Sequence, residues 1–156
     1  MNIADIHLVL KTRAAADTGS GGLFNAASPL INAWYPSRIP ASVQYPYVVQ
    51  TVTGVPNRPA FAKDVVSVTF RASVWVPWKS HTDTDPMQTA SNILKRIYGN
   101  WSSSAPSTQP THGFHRYKPT LTSPWTATFI KYDDTFDESD DHYINLIPQF
   151  SFTMSQ

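Results

Sequence analysis

The chain has 156 residues, 41% hydrophobic and 13% aromatic, which supplies enough apolar surface for one domain with a substantial core. Twelve Lys and Arg against eleven Asp and Glu leave a formal charge of +1, which argues against a protein that grips nucleic acid through its phosphates. With no cysteine, a disulfide framework, a thiolate nucleophile and a zinc-thiolate site are excluded.

No apolar run nears the ~20 residues needed to cross a bilayer. The start "MNIADIHLVLK" has neither the basic opening nor the unbroken apolar stretch of a signal peptide. These features predict a soluble protein that works where it is made. In "NIADIHLVLKTRAAAD", Ile3, Ile6, Val9, Leu10 and Ala14 recur at helical spacing, with Asn2 as a candidate N-cap and Gly19, Gly21 and Gly22 beyond the end. This predicts a helix over 2–17. The next stretch, "LFNAASPLINAWYPSRIPASV", is interrupted by Pro29, Pro36 and Pro40 and reads as an irregular connection. Pro46 then restrains the chain ahead of Tyr47, Val48, Val49 and Val52, which predicts a strand over about 47–53.

After the loop "GVPNRPAFAK" comes "VVSVTFRASVWV", in which Val66, Val68, Phe70, Ala72, Val74 and Val76 alternate with Ser67, Thr69, Arg71 and Ser73. That is a strand over about 65–76 with one apolar and one wet face. A second helix over about 84–98 opens with Asp83, Asp85 and Pro86 and shows Met87, Ala90, Ile93, Leu94 and Ile97 on one face. It closes with Lys95, Arg96 and Gly99. The Ser-, Thr- and Pro-rich segment that follows is too polar for core but carries Phe114 and Tyr117, so it packs against something. Strands over about 125–133 and 142–154 end the chain, separated by the acidic hairpin tip "DDTFDESDD" at 133–141. Pro148 inside the last strand predicts an edge position or a bulge. The whole predicts a single α+β domain, 1–156, with a four-stranded, mainly antiparallel sheet and two helices packed on one face.

Candidate chemistry is sparse. His112 and His115 stand at a chelating spacing, but neither a carboxylate nor a third histidine accompanies them, and their loop is proline-rich. The acidic run offers oxygens to calcium but lacks the glycine turn and the alternation of an EF-hand loop, so it reads as a solvated tip. "TGSGG" has no phosphate-loop lysine and follows a helix, and no G-x-S-x-G elbow marks a nucleophile. The expectation is a protein that is not an enzyme and has no cofactor or metal. The aromatic residues carry more information. Trp75 falls on the otherwise polar face and, with Trp78, reads either as covered by a loop or as an interface anchor. Tyr45, Tyr47, Trp101 and Trp125 either join that surface or seal the ends of the sheet.

"P-Y-V-V" at 46–49, the strand finishing "VWV" at 74–76, the helix pattern "A-x-x-I-L-x-x-I" at 90–97 and the closing "Q-F-S-F" at 149–152 carry a resemblance in element order over nearly the whole chain. The sequence resembles the tail terminator or tail-completion proteins of tailed bacteriophages, and departs from them in its long connections at 18–44 and 101–123. The resemblance implies a small α+β virion subunit, located at the head-proximal end of the tail and in the host cytoplasm during assembly. Such a subunit forms a ring, usually a homohexamer, that caps the tail tube and stops its polymerisation. Its partners would be copies of itself, the tail tube protein, the head-tail connector or neck protein and, in a contractile tail, the sheath. DNA would meet it only as the passing genome, and no membrane is involved.

On that reading Ser67, Thr69, Arg71 and Ser73 line the lumen, and a heterologous subunit interface draws on Arg58, Lys63, Trp75, Trp78, Asp137, Glu138 and Asp140. Two alternatives stand beside it. One is another neck, adaptor or tube protein. The other is a β-rich carbohydrate-binding module with Trp75, Trp78 and Trp125 as a sugar platform.

Overall fold

A computed structural model describes residues 3–57, 64–78, 85–100 and 109–156. Asn2, Arg58, Lys63, Asp83 and Trp101, each named above, lie outside the described residues. Helix α1 (Ile3–Ala15) buries Ile6, Leu10 and Ala14, one residue per turn on a single stripe. Just past its end, Asp17 accepts a hydrogen bond from the Leu23 amide and pairs with Arg96 of the second helix, Arg96 Nε lying 2.8 Å from Asp17 Oδ2. Helix α2 (Pro86–Tyr98) is capped as its sequence predicts: the Asp85 carboxylate accepts from the Met87 amide at 2.9 Å, and Gly99 follows at φ 115°.

Among the described residues the class is α+β with two helices, but the sheet has six strands rather than four. They are β1 (Ala33–Pro36), β2 (Tyr47–Asn57), β3 (Val65–Pro77), β4 (Thr126–Ala127), β5 (Lys131–Asp137) and β6 (Tyr143–Ser155), in the order β1-β2-β3-β6-β4 with β5 also paired to β6. Among the described strands only β1 runs parallel to its neighbour, and it lies in the stretch read as an irregular connection. It forms because Trp34 is buried and its indole N–H reaches the Gln50 side chain at 2.8 Å, so tertiary contact overrides the flanking prolines. The strand expected over 125–133 is two strands, and β5 runs on through most of the acidic run, leaving residues 138–142 as the turn.

Pro148 is not on an edge, because β6 has β3 on one side and β4 and β5 on the other. The irregularity it predicts takes another form. The β3–β6 ladder is interrupted between the Arg71–Gln149 and Val74–Leu146 pairs, and β5 bulges between Tyr132 and Asp134. A residue without an N–H cannot supply its rung.

One hydrophobic cluster joins α1, α2 and the even-numbered side chains of β3 and β6, so both helices cover one face of the sheet. Phe114, from the polar 109–118 segment, lies inside that cluster with its ring 5.0 Å from Phe70 and 5.8 Å from both Trp34 and Phe150. It gets there through a close backbone crossing: a β-carbon on Gly113, which has φ 77°, would stand 2.3 Å from Gly99 Cα. Arg13 ties the same segment to α1, donating to the carbonyls of Pro110 and Gly113 and lying 4.1 Å over the Tyr117 ring.

Candidate functional site: the outer face of the sheet

The face turned away from the helices is built row by row from cross-strand pairs. Ser67 stands between Val55 and Thr153, Thr69 between Thr53 and Ser151, Arg71 between Thr51 and Gln149, and Trp75 between Tyr47 and Asn145. Strict alternation in β3 places Ser67, Thr69, Arg71 and Ser73 together on this face, as the sequence pattern predicted. The result is a lane of hydroxyls with one guanidinium.

That guanidinium is held. Arg71 Nε donates to Gln149 Oε1 at 2.8 Å, and its carbon centre lies 5.0 Å over the Phe136 ring. Gln149 in turn donates to Asp133 at 3.4 Å, and Ser151 Oγ donates to the other Asp133 oxygen at 2.8 Å. Arg71 is thus linked through an amide to a carboxylate, and the two fields offset each other at short range, while the exposed Lys131, paired with Ser151, ends the Thr69 row at the β5 edge.

The lane ends in aromatic side chains. Tyr47 stacks on Trp75 with centroids 6.2 Å apart, Tyr143 meets Trp75 edge-on at 6.0 Å, and Tyr45 lies 5.0 Å from Tyr47 and 5.4 Å from Tyr143. Tyr35 adds an edge contact to Tyr47 at 5.8 Å. Burial pushes the Tyr47 phenol above its usual range, and a hydrogen bond with Tyr45 does the same for Tyr143. Trp75 is therefore covered by tyrosines. Those partners were hidden from sequence reading because cross-strand register, not spacing along the chain, brings them together.

Trp78 is 45% exposed and belongs to the acidic turn, its indole donating to the Asp140 carbonyl at 2.8 Å and its amide to the His142 carbonyl at 3.0 Å. Asp137 and Asp140 are occupied locally. The Asp137 carboxylate, which accepts from Ser139, and the Asp140 carboxylate, which accepts from the His142 and Tyr143 amides, both titrate below their ordinary range. Glu138 is exposed. Trp125 packs against the core cluster on the opposite face, so the three tryptophans of the sugar-platform alternative are not assembled into one surface.

Elsewhere His115 stacks on Tyr98 at 4.8 Å and its Nδ1 accepts from the Tyr132 amide at 3.1 Å, while His112 Nδ1 lies 3.3 Å from Thr111 Oγ1. Burial lowers the pKa of both. Among the described residues no group of three or more His, Cys, Asp or Glu converges as for a metal ion. No described helix is long and apolar enough to cross a membrane.

A serine and a histidine also meet where no motif along the chain marks them. Ser37, at φ 70°, has its Oγ 3.3 Å from His7 Nε2, and His7 Nδ1 lies 3.0 Å from Gln50 Nε2. Because Trp34 donates to Gln50 Oε1, the amide must turn its nitrogen toward His7, where it also donates to the His7 carbonyl at 3.2 Å. Nδ1 is then an acceptor and Nε2 carries the proton. A general base needs a free lone pair facing the serine, so this pair fastens α1 to the sheet instead of activating a nucleophile. The sequence matches no protein-family model, and no curated protein is significantly similar to it.

Proposed function

We propose that this chain is a structural virion protein, a tail terminator whose copies close into a ring at the head-proximal end of a phage tail tube. There the ring stops tube polymerisation and offers a surface for head-tail joining. The observation that carries this reading is the outer sheet face. A broad row of Ser and Thr hydroxyls, with its one guanidinium tied to Gln149 and Phe136, suits a wall past which a polyanion must slide without sticking. A strongly basic wall would bind duplex through counterion release. The aromatic end and the acidic turn beside it supply the large, rigid side chains that interfaces favour.

The absence of cysteine makes the test clean, since a single introduced thiol is unique. Thr69→Cys labelled with a gold maleimide places its label in the central channel of a ring seen by negative stain, and Gln88→Cys, exposed on α2 across the sheet from the lane, places it away from the channel. Gold from Thr69→Cys on the outer rim would overturn the lumen assignment. Long open cylinders in place of rings would indicate a tube subunit.

A further inference from the structure

At the β1 end of the sheet an open, mainly apolar groove of about 360 Å³ runs between α1 and the strand end, lined by Ala4, His7, Leu8, Lys11, Pro36 and Ser37. Leu8 is 63% exposed and Ile39, just beyond, is 45% exposed, so the groove presents side chains that water solvates poorly. Lys11 lines it, the exposed Arg38 directly follows the lining residue Ser37, and Asp5 lies six residues before Lys11 on α1.

The far end of the sheet is its complement. Six of the eleven Asp and Glu fall within 133–141, and all twelve Lys and Arg lie elsewhere in the chain. That edge also holds exposed aromatic rings, Phe129 at 46% and Phe136 at 38%.

We infer that the α1–β1 groove is the socket for the acidic β5–β6 edge of a second copy of this chain, joined head to tail. The two surfaces lie at opposite ends of one sheet order, so the same contact repeats from copy to copy, as a heterologous interface requires. Aromatic and aliphatic side chains enter the groove while carboxylates of the turn meet Lys11 and Arg38. The contact is made by side chains rather than by strand addition. The Thr135 amide is already taken by the Asp134 carboxylate at 2.7 Å, and β1 is only four residues long and ends in proline, so neither edge is an inviting template for a continuous sheet. This inference rests on the ring reading for closure alone, since an interface of this kind also gives open chains if the rotation does not close.

The test uses two charge-reversed proteins. Lys11→Glu with Arg38→Glu makes the groove acidic, and Glu138→Lys with Asp141→Lys makes the turn basic. All four side chains are exposed, so the far-ultraviolet circular dichroism spectrum stays that of the wild type, while the melting temperature falls only by what assembly contributes. Light scattering of either variant alone gives the 17.4 kDa monomer, and an equimolar mixture regains the wild-type assembly mass. In the mixture each reversed groove meets a reversed turn and each native groove meets a native turn. Leu8→Ser weakens wild-type assembly even at high salt, where the charges are screened.

Rings that persist in both single variants overturn this pairing and leave the ring reading intact. Open chains of wild-type protein that the reversals abolish support the pairing and remove the terminator reading. A wild-type protein that stays monomeric and also fails to assemble on purified tail tubes overturns both.

Discussion

Replacing Phe114 by alanine tests whether a segment rich in Ser, Thr and Pro is part of the core. Phe114 is 1% exposed, its ring touches those of Trp34, Phe70 and Phe150, and its amide donates to the Ile97 carbonyl at 2.9 Å, so the hole left behind is walled by elements that cannot collapse independently. Core Phe→Ala changes cost about 3–5 kcal/mol, and in a domain of this size 1 kcal/mol moves the melting temperature by about 2–4 °C, so a fall of roughly 6–20 °C is expected. Ile3→Ala is the control. That side chain is 43% exposed at the first residue of α1 and its loss costs about 1 kcal/mol or less. Urea titration with a fluorescence readout, checked by calorimetry, measures both. If Phe114→Ala falls by no more than the control, the 109–118 segment does not plug the core and the packing described above is wrong.

Three further outcomes follow from particular contacts. Arg96→Met strands the Asp17 carboxylate, which is 5% exposed, and costs about 3 kcal/mol in a urea midpoint; a loss under about 0.5 kcal/mol would mean the pair is solvated. Gly113→Ala drives a methyl group into Gly99 at positive φ and costs about 2 kcal/mol or more, whereas Gly19→Ala, with nothing within 4 Å of the added carbon, changes stability little. Burial lowers the folded-state pKa of His7, His112 and His115 below the ordinary 6.5. Below that pH the unfolded chain binds more protons than the folded one, so stability is full well above 6.5, declines as pH falls through it, and levels off below the folded values. Denaturant midpoints at pH 7.5, 6.5 and 5.5 should show the decline, and His7→Gln should flatten it. An identical slope in that variant would remove the role given to the His7–Gln50 contact.

Local signals carried the sequence reading where they agreed with one another. The alternation of β3 gave both its faces, and Asp85, Pro86 and Gly99 bounded α2 to within two residues. β1 was illegible because four residues followed by prolines carry no period, and only burial of Trp34 against Gln50 makes them a strand. The acidic run reads as a loop because aspartate disfavours strands. Pairing with the long β6 decides otherwise over Lys131–Asp137. Of the candidate site, the polar lane was visible and its neutralisation was not, because Arg71, Gln149 and Asp133 meet only through strand register. The tyrosine cover over Trp75 and the groove beside His7 were hidden for the same reason.

The proposed terminator role requires copies of this chain to close into a ring. Light scattering of the purified wild-type protein, with negative-stain class averages of the same sample, tests it most directly. A terminator gives one closed ring of about six subunits with an open channel and no longer polymer. Cylinders or fibres that lengthen with concentration, or a monomer that also fails to cap purified tail tubes, would contradict it.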